Sequence, residues 1–236
     1  MTGGASPAEG MRNLSAPGLR TFVNPYSYRV LRAARPEYLS GDRFEVNYDG
    51  VSLALVASWL GRARVVRRSF DDTSLAPVVF SECAEAGLRV ALVGSAPGVA
   101  ASAAEFLRAR YSGLIIDFAQ DGYYSELGEQ EVLSRAARCE VVICSMGTPI
   151  QEDFLIKLSS RGWNGAGYTC GGYLDQLVDA GGAGYYPPVF DRLNIRWLYR
   201  LLMEPARLVP RYFFDYPVGL AQFIVDNVFF GKRVKR

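Results

Sequence analysis

Between Cys139 and Phe154 the chain reads Cys-Glu-Val-Val-Ile-Cys-Ser-Met-Gly-Thr-Pro-Ile-Gln-Glu-Asp-Phe, an apolar run that stops at a Gly-Thr-Pro turn. Val141, Val142 and Ile143 are β-branched and uninterrupted by polar residues, the pattern of a strand covered on both faces. Gly147 allows close backbone approach, and Pro149 suits the first turn of a helix, where its missing N–H matters least. Thr148 is then the expected N-cap of a helix whose first turn holds Gln151, Glu152 and Asp153. In open parallel sheets, ligands gather outside the carboxyl ends of the strands, where a helix N-terminus offers N–H groups to a phosphate. A plainer reading stays open beside it: an ordinary strand-to-helix connection whose acidic residues complement the helix dipole.

The same alternation recurs along the chain. Thr21 to Asn24 reads as a short strand stopped by Asn24-Pro25, with helical character from Tyr28 to Ala34. The strand that begins at Phe44 runs into Asp49-Gly50, a common turn pair, and Val51 to Trp59 then has the apolar content of a helix. Leu88 to Val93 is the clearest strand; it enters a turn at Gly94, and a helix follows from Val99 to Arg110. Leu114 to Asp117 and Gly165 to Cys170 read as further buried strands. This alternation predicts an α/β fold, a Rossmann-like parallel sheet with helices on both faces. The glycines after Leu88 lack the Gly-x-Gly-x-x-Gly spacing of a dinucleotide site and the Lys-Ser/Thr of a P-loop, which argues against a nucleotide-dependent oxidoreductase or epimerase. Residues 1–18 read as a flexible leader rich in small residues, 19–193 as the α/β core, and 194–236 as a helical appendage.

That appendage is basic and aromatic. In one continuous helix Arg196, Arg200, Arg207 and Arg211 would fall within about 60° of one another, but Pro205 and Pro210 point to two short helices with a kink. Apolar side chains surround these arginines, and the chain ends Lys-Arg-Val-Lys-Arg. Two readings stay open: an interfacial anchor on an anionic membrane surface, and a helix that docks on the core.

Composition excludes several functions. A net charge of +2 is too small for a nucleic-acid footprint. No apolar run reaches the length of a membrane span and the N-terminus lacks the apolar core of a secretory signal, so a cytoplasmic protein, peripheral on the inner face of the cell membrane, is expected. The four cysteines show no paired short spacing and read as small core residues. There is no histidine, so acid–base chemistry falls to a carboxylate or a tuned Lys, Tyr or Cys. With no Asp-x-Asp pair either, neither a metal nor a cofactor is expected.

The order Gly147-Thr148-Pro149-x-Gln151-Glu152, the downstream Gly171-Gly172, and the block from Trp197 to Leu202 with Glu204-Pro205, Arg207 and Arg211-Tyr212 resemble the WecG/TagA/CpsF family of bacterial glycosyltransferases. The likeness runs from about Thr21 to Tyr212. It implies a hexosyltransferase of surface-polysaccharide synthesis that moves a sugar from a UDP-sugar to a polyprenyl-diphosphate-linked acceptor, inverting the anomeric centre in one displacement. It also assigns residues. Asp49 stands where the family carries its proposed base, Asn24 where it has an active-site Asn, and Gly122-Tyr123 match its Gly-Tyr-Phe signature. Arg67 and Asp72 match its Arg-x-x-x-x-Asp segment. Sugar transfer further needs a pyrophosphate site, for which the turns at Gly94 and Gly147, with Thr148 and Gln151, are candidates. Arg200, Arg207 and Arg211 are the candidates to meet charge developing on the leaving group. Two departures stand out: Phe70 replaces a family Gly, and the family's Arg before the Trp block is missing near Pro187. They keep open a non-catalytic partner in an assembly complex, and the sequence leaves a homo-oligomer open as well.

Overall fold

The computed structural model describes residues 13–61, 64–182 and 196–229. Six strands form one sheet: β1 (Gly18–Val23), β2 (Glu45–Tyr48), β3 (Arg89–Gly94), β4 (Ile115–Gln120), β5 (Val141–Ser145) and β6 (Ala166–Thr169). Their spatial order is β2-β1-β6-β5-β3-β4 and every neighbouring pair is parallel. Parallel neighbours need crossovers, and these are the helices α1 (Pro25–Ala34), α2 (Val51–Gly61), α3 (Ala76–Ala86), α4 (Val99–Arg110), α5 (Glu126–Ala136) and α6 (Ile150–Ser159); α7 (Tyr173–Asp179) follows the last strand.

Both faces of the sheet are buried, as the uninterrupted apolar strands require. Val90, Leu92, Val141 and Ile143 join α3, α4 and α7 in one core, while Ala91, Val93, Val142 and Cys144 join α1, α5 and α6 in the other. A bulge tunes one edge. Ile116 pairs with Val90 but Phe118 with Ala91, so these two residues, two apart in sequence, enter opposite cores. From β3 the chain proceeds to β4 on one side, whereas β5 and β6 lie on the other. That reversal opens a crevice at the carboxyl ends of the strands.

The body starts earlier than the sequence division suggests. Leu14, assigned to the leader, is buried; its carbonyl accepts from the Tyr168 hydroxyl, and the Ser15 N–H donates to Glu82 at 3.0 Å. Phe70 also finds its reason here. It is not among the residues with positive φ, and it packs against Phe22, Phe80, Tyr168 and Tyr173 with ring centroids 5.1 to 6.2 Å apart, so its side chain is part of the core.

The appendage forms α8 (Arg196–Met203), α9 (Pro205–Pro210), a π-helical turn (Arg211–Asp215) and α10 (Tyr216–Phe229). The expected break occurs at Glu204-Pro205. At Pro210 the helical path instead continues through the π turn into α10. α10 lies on α1 and α2. Gly219 makes this possible, because a Cβ there would overlap the carbonyl of Pro25. Phe223 inserts edge-on between Tyr28 and Tyr48, with centroids at 5.1 and 5.6 Å. Asp226, also buried, accepts from the Tyr28 hydroxyl at 2.7 Å and from two Arg32 nitrogens at 2.6 and 3.0 Å. Its outer face remains apolar and exposed at Val218, Val225, Val228 and Phe229. The core-docking reading therefore describes the inner face of α10. None of the described helices is long and apolar enough to cross a membrane.

Candidate active site

A cleft of about 750 Å³ opens along the carboxyl ends of the strands. Every strand feeds it: Asn24 follows β1, Asp49 follows β2, Ser95 follows β3, Gly122 and Tyr123 follow β4, Gly147 and Thr148 follow β5, and Cys170 to Gly172 follow β6. A further side of the cleft comes from the appendage, through Glu204, Leu208, Arg211, Tyr212 and Tyr216.

Asp49 and Arg67 meet on one side. Arg67 Nη2 donates to Asp49 Oδ1 at 3.1 Å, to Ser69 Oγ at 2.9 Å and to Asp71 Oδ2 at 3.4 Å. Asp71 is held in turn by the Ser69 hydroxyl at 2.7 Å and by the N–H and hydroxyl of Thr73. Such charge-assisted contacts fix the guanidinium and thereby aim Asp49. Asp72, the residue matched by the family spacing, does not join them. It pairs with Arg110 at 2.7 Å and accepts from Tyr173 at 2.7 Å, outside the cleft lining. Asp71 faces the cleft in its place.

Asn24 lines the cleft while its Oδ1 caps α1, accepting from Ser27 N at 3.0 Å in a reciprocal capping box. The turn after β3 is tight. Gly94 has φ +129°, and a Cβ on it would strike the Ser145 carbonyl, so this glycine lets β3 and β5 converge rather than touching the cleft itself. Ser95 follows at φ 65°, unusual for a residue with a side chain, and its hydroxyl lies 2.9 Å from Asp175 Oδ2 and 2.9 Å from Ser145 Oγ. This Ser95, Ser145 and Asp175 cluster lines the cleft and escaped the sequence reading. The only local signal was a serine after a strand-ending glycine.

The Gly-Thr-Pro turn behaves differently from its sequence expectation. Thr148 is not an N-cap: α6 starts at Ile150 with no side-chain cap, because the Thr148 hydroxyl bonds Glu152 Oε1 at 3.3 Å and accepts from Gln151 Nε2 at 3.2 Å. Gln151 lines the cleft but is buried, its amide engaged by protein groups. Its Nε2 also reaches Glu152 Oε1 at 3.2 Å and its Oε1 accepts from Gly171 N at 3.2 Å, so the amide ties the turn after β5 to the turn after β6. Glu152, expected as a dipole-complementing first-turn acid, is fully buried; Thr21 donates to its Oε1 at 2.8 Å, while Oε2 has no partner among the described residues. Burial raises its carboxyl above the usual range. Cys83, Cys139 and Cys144 are buried core thiols, whereas Cys170 lies at the cleft. Burial pushes the Cys170 thiol up to about 12, which disfavours its thiolate.

Of the tail arginines, Arg211 reaches the cleft, with its guanidinium 3.9 Å from the Tyr26 ring centroid. The side chains of Arg200 and Arg207 lie outside the described residues, as does the segment near Pro187 that lacks the family's arginine.

A polar cleft at the switch point of a doubly wound parallel sheet, with an arginine-held carboxylate on one wall, defines an α/β enzyme of group transfer. The chain belongs to the WecG/TagA/CpsF family of glycosyl transferases, whose model matches residues 16–233. Its relatives include the UDP-Gal:alpha-D-GlcNAc-diphosphoundecaprenol beta-1,4-galactosyltransferase of Shigella boydii, 30% identical over 221 residues, which are 92% of this chain and 90% of that protein.

Proposed function

We propose that this chain moves a hexose or N-acetylhexosamine-type sugar from a UDP-sugar to a polyprenyl-diphosphate-linked saccharide at an anionic membrane surface on the cytoplasmic side. The observation that carries this reading is the π turn of the appendage. Within five residues it sends Arg211 and Tyr212 into the cleft and leaves Phe213 and Phe214 exposed at 67% and 71%. One segment thus closes the site and presents aromatic surface outward, as an enzyme with a lipid-linked acceptor needs. The galactosyltransferase likeness supports the same donor and acceptor classes.

In this reading Asp49 takes the proton of the acceptor hydroxyl, and Arg67 holds the carboxylate toward it. Attack inverts the anomeric centre in one displacement. Arg211 answers the negative charge that grows on the departing diphosphate, and the appendage keeps water from the donor. The reaction needs no metal or cofactor.

The test supplies purified protein with labelled UDP-sugars and a polyprenyl-diphosphate-linked N-acetylglucosamine acceptor, in EDTA. Transfer should proceed. Asp49→Asn should lower turnover by about 10² to 10⁴ with donor affinity little changed. No transfer from any UDP-sugar would overturn the reading; a cation requirement would overturn its metal-free form. Near-normal turnover in the variant would remove Asp49 from the mechanism.

A further inference from the structure

Helix α2 is unusual for the surface of a water-soluble body. Its eleven residues, Val-Ser-Leu-Ala-Leu-Val-Ala-Ser-Trp-Leu-Gly, include no charge. The inner face buries Leu53, Ala54 and Ala57 against the core, as expected. The outer face repeats apolar side chains at i, i+4 and i+8: Val51 is 49% exposed, Leu55 63% and Trp59 72%. A surface helix normally turns a polar face to water, and a helix apolar on all sides belongs against a second apolar medium.

Three observations identify that medium. α10 packs beside α2 and its own outer face is also apolar, so two adjacent helices continue the unpartnered surface. Basic residues flank both: Arg64 is exposed just past α2, and after Phe229 the sequence runs Phe-Gly-Lys-Arg-Val-Lys-Arg. Apolar stripes flanked by cations and carrying an exposed tryptophan match the headgroup boundary of an anionic bilayer, where an indole places its ring in the apolar layer and its N–H in the wet one.

We propose that α2 is a second membrane-contacting element, seating Val51, Leu55 and Trp59 in an anionic phospholipid surface beside α10. The proposal rests on the reading of a lipid-linked acceptor and adds to it a part of the core that touches the membrane. α2 begins directly after Asp49-Gly50. Docking through α2 therefore holds the candidate base next to the bilayer, where the reacting sugar of such an acceptor lies.

The experiment uses the full chain with phosphatidylglycerol-containing vesicles whose acyl chains are brominated. Quenching of tryptophan emission is compared between wild type and Trp59→Phe, a substitution at an exposed site. The difference isolates Trp59 and should show strong quenching with a blue shift on vesicle addition. Leu55→Glu, equally exposed, should weaken vesicle partitioning by about tenfold without altering donor binding. Three results would each overturn the proposal. Trp59 could remain unquenched on vesicles that sediment the protein, leaving docking to the appendage alone. Its emission could already be shifted without lipid, in proportion to protein concentration, assigning the face to a second copy of the chain. Or the protein could ignore the vesicles. Sugar transfer to a detergent-dispersed acceptor, measured alongside, separates failure of this proposal from failure of the assigned reaction.

Discussion

Gln151 and Glu152 show how a residue's chemistry depends on what encloses it. Next to a turn they read as ligand-binding and dipole-complementing side chains, yet both are buried and bonded to each other, to Thr148, to Thr21 and to the Gly171 backbone. Gln151→Ala should therefore lower stability by about 1 to 3 kcal/mol, because it leaves buried polar groups without partners. Denaturant unfolding checks this, and unchanged stability with weakened donor binding would return Gln151 to the ligand. Glu152 carries a pH signature. Its raised folded value means that the native state holds a proton which the unfolded chain releases, so its contribution is present below the ordinary carboxyl range and is lost as pH rises through the folded value. Relative to Glu152→Gln, the wild type should lose stability as pH rises above the ordinary carboxyl range. Parallel pH curves for the two proteins would show that Glu152 does not titrate in this way. The ion pair of Glu140 with Arg89, which acts in the opposite direction, is common to both and cancels.

Among the elements, α10 depends on a single close approach. Gly219 lies against the Pro25 carbonyl, and the Asp226 contacts with Tyr28 and Arg32 follow from that depth. Gly219→Ala would gain about 1 kcal/mol of intrinsic helix preference. The forced separation should outweigh it, costing about 1 to 3 kcal/mol and lifting Phe223 from between its two tyrosines. Hydrogen exchange along α10 should quicken selectively, and unchanged protection there would show that the helix tolerates the side chain. The same docking makes removal of the whole appendage a poor probe of function, since it would also uncover Tyr28, Tyr48 and Arg32.

For the whole molecule, the appendage joins site and surface. Phe213→Asp with Phe214→Asp should reduce vesicle binding about tenfold or more while the cleft still binds donor, because both side chains point away from it. Transfer to a vesicle-borne acceptor should fall in parallel. Cosedimentation and transfer assays on one preparation check this, and full-rate transfer by the double variant would uncouple the outer face from function.

The α/β class, the parallel sheet and the end of the sheet that carries the site were legible in the sequence. They follow from local periodicity: uninterrupted β-branched runs such as Val141 to Ile143 require cover on both faces, and the turns at Gly94 and Gly147 mark strand ends. The family motifs pointed to Asn24, Asp49, Arg67, Gly122, Tyr123, Gly147, Thr148, Gln151 and Arg211, which the fold gathers in one cleft. What no local pattern contains is which side chains meet. That Asp71 rather than Asp72 joins Arg67 depends on how the loop before α3 settles. The Ser95, Ser145 and Asp175 cluster depends on β3 lying beside β5, and the burial of Gln151 and Glu152 on β6 lying beside β1. The appendage read as either anchor or core cap because its residues suit water, core and lipid alike. Only the tertiary structure distributes those properties to opposite faces of one helix, since the contacts that do so, such as Phe223 with Tyr28, join residues nearly two hundred positions apart.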